Sequence, residues 1–232
     1  MNTILIGSDT MRPDFLGCGG WAKAVTPNLD RLAAEGCFFE RTLTGSYATV
    51  PARGDVVTGK YVFPNHGWEP LTYTDRTCAR ILGEQGFITQ LYCDTPHIMK
   101  DGFHYDKGFT GWEFIRGQES DRYVYDHNFK FELPCDEHKL RNPHTTFKQH
   151  MMNISRRRGE EDTFAATTLG KGIDWLKRNY GLDNFFLWCD TFDPHEPWDA
   201  PQYYVDLYDP GYTGQVIPYP AYGPASVFTK RE

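Results

Sequence analysis

Five side chains are of types and in settings that could do chemistry: Asp9, Thr49, Arg53, His97 and His195. Asp9 follows the apolar run Thr3-Ile4-Leu5-Ile6 at a short distance, so it projects from a strand end. A carboxylate there suits a hard cation such as Ca²⁺, Mg²⁺ or Mn²⁺, and it equally suits a turn or a helix cap. Thr49 precedes a helical pattern with Pro51 in its first turn. Two readings stand for it. Threonine is a good N-cap and proline suits a helix start. A hydroxyl at that end also meets the positive pole of the helix, where backbone amides favour an oxyanion. Arg53, one turn later, has the bidentate reach for a tetrahedral oxyanion. An ordinary alcohol would still need a metal to lower its pKa. His195 lies between Pro194 and Pro197, in a rigid extended loop where imidazole can donate to a substrate oxygen or protonate a leaving group. His97, in Asp94-Thr95-Pro96-His97, makes a parallel case, and a plain loop histidine is the alternative for both. The other six histidines lack such a setting, and surface or structural roles are expected for them.

The elements that must hold these residues alternate between strand and helix patterns. Residues 3–6 read as a buried strand. Thr26-Pro27-Asn28 opens a helix with Leu29, Leu32 and Ala33 on one face and Gly36 at its end. Residues 37–43 read as a second strand, and 51–57 as a short helix stopped by Gly59. A helix over 75–85, capped by Gly86, feeds a strand over 87–93 that ends at Asp94. A helix near 163–180 leads to the apolar strand 184–189, which ends at Asp190. The pattern predicts an α/β fold with a largely parallel sheet flanked by helices, and ligands at the carboxyl ends of its strands. Residues 95–161, rich in Gly, Pro, His, Asp and aromatics, lack periodicity and read as an irregular excursion from the core. Residues 209–232 read as an irregular end.

Composition narrows the function classes. The chain has 232 residues, enough for a substantial core, and no internal repeat. A formal charge of -7 argues against a nucleic-acid-binding surface, and Arg156-Arg157-Arg158 beside Glu160, Glu161 and Asp162 reads as a solvated mixed-charge face. No apolar stretch reaches the length of a membrane span. The N-terminus lacks a basic signal-like region, and the six cysteines show no close pairing. The expectation is therefore free thiols and a cytoplasmic location.

Four stretches, in order, give the chain its resemblance to a known family. They are Ile4-Leu5-Ile6-Gly7-Ser8-Asp9-Thr10-Met11-Arg12-Pro13-Asp14 with Leu16-Gly17, then Thr26-Pro27-Asn28-Leu29-Asp30-Arg31-Leu32-Ala33. The signature-like Thr49-Val50-Pro51-Ala52-Arg53-Gly54-Asp55-Val56-Val57-Thr58-Gly59 follows, and then Asp193-Pro194-His195-Glu196-Pro197-Trp198 with Pro201. In this the chain resembles the N-terminal part of a sulfatase-family catalytic domain of the alkaline phosphatase superfamily. The resemblance implies a metal-dependent ester hydrolase. It makes Asp9 a metal ligand, Thr49 the nucleophile and a second metal ligand, and Arg53 the arginine that holds the nucleophile. It gives His195 a part at the ester or leaving group, and His97 and Lys60 contacts to substrate. The implied cofactor is a divalent metal (Ca, Mn, Mg or Zn), and the implied partner a small-molecule sulfate or phosphate ester.

Two departures qualify that expectation. Sulfatases oxidise a cysteine at the signature's first position to formylglycine, and this chain has Thr49 there. Formylglycine needs Cys or, in some systems, Ser, and oxidised threonine would be a ketone, so no formylglycine is expected. Related phosphodiesterases and nucleotide pyrophosphatases use a threonine directly on phosphorus, which favours phosphate mono- or diesters over sulfate esters. The family's later metal ligands, Asp with His or Asn, also have no counterpart after His195. The resemblance thus implies either a fragment whose C-terminal part is missing, or a truncated, non-catalytic domain with residual anion binding. Either would hold metal poorly as it stands.

Overall fold

The computed structural model describes residues 1–229. Four strands form one parallel sheet: β1 (Thr3–Ser8), β2 (Ile88–Cys93), β3 (Gly111–Phe114) and β4 (Phe185–Thr191), in the order β1-β4-β2-β3. The helices among the described residues are α1 (Pro27–Glu35), α2 (Thr49–Thr58), α3 (Cys78–Glu84), α4 (Pro96–Met99), α5 (Lys148–Ile154), α6 (Phe164–Asn179) and α7 (Gln202–Asp206).

Every residue of β4 is buried, as befits a strand covered on both faces. Its side chains alternate between two cores. Phe186 and Trp188 pack with Val50 and Val57 of α2 and with Leu91 and Cys93 of β2. Phe185, Leu187 and Cys189 pack with Phe164 and Trp175 of α6 and with Tyr92. The two-residue period then decides where the acids at the strand ends point. Asp190 follows Phe186 and Trp188 onto the α2 face, and Asp94 follows Tyr92 onto the α6 face. In the register Gly7 lies opposite Asp190, and a Cβ there would come within 2.5 Å of Asp190 Oδ2, so a larger residue would have to displace that carboxylate.

The α/β architecture is the expected one, with differences in detail. Residues 37–43 are not a strand; β-forming residue types are present, but the segment finds no partner and Leu43 is 96% exposed. The Leu29–Leu32 face of α1 is exposed, so that helix exists without a covered side among the described residues. Segment 95–161 returns once to the sheet as β3, whose four residues are too few to show alternation. Its later part joins the end of the chain in a small third core of Leu140, Phe147 and Tyr219. All six cysteines are free thiols. No helix among the described residues is long and apolar enough to cross a membrane.

Candidate active site

Helix α2 begins at Thr49 itself, two residues earlier than the pattern indicates. Ala48 is the N-cap and no side chain caps the helix, so Thr49 is not there as a cap. It is nearly buried, at 6% exposure. Arg53 lies four residues on, on the same face. Its guanidinium joins the ends of two neighbouring strands: Nη1 donates to Asp9 Oδ2 at 2.6 Å, while Nε and Nη2 donate to Asp190 Oδ2 and Oδ1, both at 3.2 Å. Thr95 Oγ1 adds a bond to Asp190 Oδ1 at 2.6 Å. Burial alone would push the Arg53 pKa down, but the charges of Asp190 and Asp9 outweigh it and leave it above its ordinary value. One cation thereby neutralises two carboxylates that would otherwise repel each other.

The two histidines flank Phe192, just past the end of β4. His195 stacks on that ring at 4.1 Å between centroids, and His97 meets it edge-on at 5.3 Å. His195 Nδ1 lies 2.8 Å from the carbonyl oxygen of Glu196. Donation there fixes the tautomer and leaves Nε2 as the basic nitrogen. A mainly apolar cavity of about 230 Å³ adjoins it, walled by Pro194, Pro197, Trp198 and Tyr204. The Asp193 carbonyl accepts from Ser8 Oγ at 2.7 Å, which ties this loop to the end of β1.

His97 is held by a residue that no sequence pattern points to. Its Nε2 is 3.1 Å from Glu119 Oε2. Glu119 also accepts from Tyr219 Oη at 2.8 Å, from Arg141 Nη2 at 3.3 Å and from the Ser120 amide at 3.2 Å. Burial would raise this carboxyl, but His97, Tyr219 and Ser120 hold it down to about 2. Lys60, by contrast, is exposed and follows the far end of α2. At 1.5 Å per residue that end lies roughly 14 Å from Thr49 along the axis. Asp9, Arg53 and Asp190 thus meet at one sheet edge with Thr49 one helical turn from Arg53, His97 and His195 meet at Phe192, and Lys60 joins neither group.

A divalent metal takes six or more oxygen donors, or four ligands where the ion is zinc. Asp9 is a suitable hard donor, yet Arg53 already holds one of its oxygens. Among the described residues, no three His, Cys, Asp or Glu side chains gather as a ligand set. The donors present here do not by themselves fit the ion that sulfatases generally use.

On the opposite face of the sheet, Asp94 accepts from the Phe192 amide at 2.6 Å and from Thr168 Oγ1 at 2.7 Å. Burial, with the nearby charge of Asp193, pushes its pKa up to about 7 against the pull of Phe192, Thr168 and Thr191. The folded chain therefore keeps this proton at pH values where the unfolded chain has lost it. The contribution to stability is whole below about pH 4 and is lost as the pH rises through about 7. Asn can accept from Phe192 and donate to Thr168 at any pH. Asp94→Asn should therefore flatten the decline in stability over that window, measured by urea unfolding at several pH values; an unchanged slope would assign the dependence to another group.

The sulfatase family model matches residues 1–216. An arylsulfatase of Clostridium perfringens is 28% identical, over 89% of this chain and 46% of its own length. A sulfatase of Escherichia coli, itself uncharacterized, is 27% identical, over 89% of this chain and 41% of its own. The chain thus spans less than half the length of these curated relatives. In fold it is similar to a phosphonate monoester hydrolase of Agrobacterium radiobacter, with a TM-score of 0.64, 21% identity and coverage of 91% of this chain and 44% of that one. With Arg53 binding Asp9 and Asp190 at the carboxyl edge of a parallel sheet, and the family model spanning residues 1–216, the chain belongs to the sulfatase family.

Proposed function

We propose that the protein hydrolyses phosphate or phosphonate esters, with Thr49 as a direct nucleophile. The observation that carries this reading is the placement of Thr49 at the first turn of α2, one turn before an arginine that binds two strand-end carboxylates. Thr49 Oγ1 attacks phosphorus and gives up its proton to solvent; the divalent metal that would lower the pKa of this hydroxyl needs donors beyond those present here. As the new P–O bond forms, the bond to the leaving oxygen breaks, its electron pair stays on that oxygen, and protonated His195 supplies a proton. Water then attacks phosphorus, releases the Thr49 hydroxyl and completes the hydrolysis. Backbone amides at the start of α2 favour the phosphoryl oxygens. A threonine cannot take the formylglycine route, so phosphorus esters are favoured over sulfate esters. A phosphonate monoester hydrolase and an arylsulfatase among the similar proteins support both ester classes as substrates to test.

A second reading, a non-catalytic sulfatase-like domain with an anion pocket, draws on the commitment of Arg53 to Asp9 and Asp190. Turnover decides between them. The full-length protein, assayed on aryl phosphodiester, phosphonate and sulfate substrates with Ca²⁺, Mn²⁺ and Zn²⁺, should turn over the phosphorus esters faster. Turnover of the sulfate ester alone would contradict the preference, and no turnover at all would favour the non-catalytic domain.

A further inference from the structure

Each of the two site histidines is held by its own glutamate, and one arginine joins the two glutamates. His97 Nε2 lies 3.1 Å from Glu119 Oε2. His195 Nδ1 lies 3.4 Å from Glu196 Oε2, beside its contact with the Glu196 carbonyl. Between the glutamates, Arg141 Nη2 reaches Glu119 Oε1 at 3.3 Å and Glu196 Oε1 at 3.4 Å. Two tyrosines repeat the pattern: Tyr219 Oη donates to Glu119 at 2.8 Å, and Tyr222 Oη donates to Glu196. Both rings also lie against the guanidinium, with centroids 4.3 and 4.2 Å from its Cζ. Each carboxylate thus meets one histidine, one tyrosine and the shared Arg141. Both carboxylates are buried, where a charge needs a partner, and Arg141 serves the two at once. The segment that carries the tyrosines is fixed on two sides. The Arg141 amide donates to the Tyr219 carbonyl at 2.9 Å and the Ala221 amide to the Lys139 carbonyl at 2.8 Å. The Trp198 amide donates to the Pro218 carbonyl at 2.7 Å, which ties the same segment to the loop of His195.

We propose that Arg141 is a positioning residue that couples His97 to His195. By fixing Glu119 and Glu196 relative to each other, it sets both rings in one arrangement, and a change at one histidine is felt at the other. An imidazole held at one nitrogen presents the other in a fixed direction. The held nitrogens are Nε2 of His97 and Nδ1 of His195, so Nδ1 of His97 and Nε2 of His195 are the ones turned to other partners. That these meet an ester rests on the hydrolase reading; the coupling itself does not. The two rings also share Phe192 as a neighbour, which is a competing route between them.

Imidazole nitrogen resonances of the isotope-labelled full-length protein test the coupling whether or not the protein is a hydrolase. Arg141→Gln should move the signals of both His97 and His195 and leave those of the exposed His104 and His127 in place. Glu196→Gln should move the His97 signals, and this cross-effect should vanish once Arg141→Gln is added. If Arg141→Gln does not fold, Arg141→Lys, which keeps the charge but not the planar group, takes its place under the same criteria. Movement of one histidine alone would overturn the assignment. So would a cross-effect that persists without Arg141, since Phe192 would then carry the coupling. Turnover of an aryl phosphodiester, followed separately, reports on the hydrolase reading, and there the Arg141 variant should lower kcat about ten-fold or more at a nearly unchanged KM. A wild type without turnover would remove that reading and leave the coupling, whereas turnover with unmoved resonances would remove the coupling alone.

Discussion

Arg53→Ala should cost the fold about 3–5 kcal/mol, the usual penalty for stranding buried charges. Asp9 is 5% exposed and Asp190 only 1%, and both lose their shared cation in this variant. Asp190 keeps Thr95, but a hydroxyl cannot offset a full charge. The deficit should shrink as the pH falls and the stranded carboxylates take up protons. Arg53→Lys should lose less, since an ammonium retains the charge but cannot form the two-pronged contact to Asp190 while reaching Asp9. Urea unfolding of the three proteins at neutral and acidic pH measures this. Equal stability of wild type and Arg53→Ala would mean that the cluster makes little net contribution to the fold.

Thr49→Ala should leave stability close to wild type and remove activity. Alanine suits a helix at least as well as threonine does, and the lost methyl and hydroxyl cost about 1 kcal/mol. Turnover of a phosphodiester should fall by about three orders of magnitude or more, the scale typical of a deleted nucleophile. Thr49→Ser keeps the attacking oxygen and should retain part of the rate. A fall in activity tracked by an equal loss of folded protein would instead point to a packing role.

Much of this site is legible in the sequence because its residues sit at positions that backbone rules reach. Asp9 follows a strand and Thr49 opens a helix. Arg53 is one turn further along the same face, which brings it to the sheet's carboxyl edge. The strand rule also marks Asp190 as an end. Which helix it faces depends on which layer covers each side of β4, which one strand read alone does not contain. Glu119 is invisible for a different reason. It lies in a stretch without periodicity, at a backbone φ of 45°, and its role comes from partners 22 and 100 residues away in the chain. Lys60 shows the converse. It stands next to a recognisable motif, yet ten residues of helix carry it away from Thr49. Residues 37–43 show that β-forming composition without a neighbouring strand makes no strand.

The central claim is that Thr49 itself takes the phosphoryl group. Rapid acid quenching of the full-length protein during turnover of an aryl phosphodiester, followed by peptide mass spectrometry, tests it most directly. The account predicts one phosphoryl-bearing group on the peptide that contains Thr49, absent from Thr49→Ala. Undiminished turnover by Thr49→Ala, or a modification trapped on another residue, would contradict it.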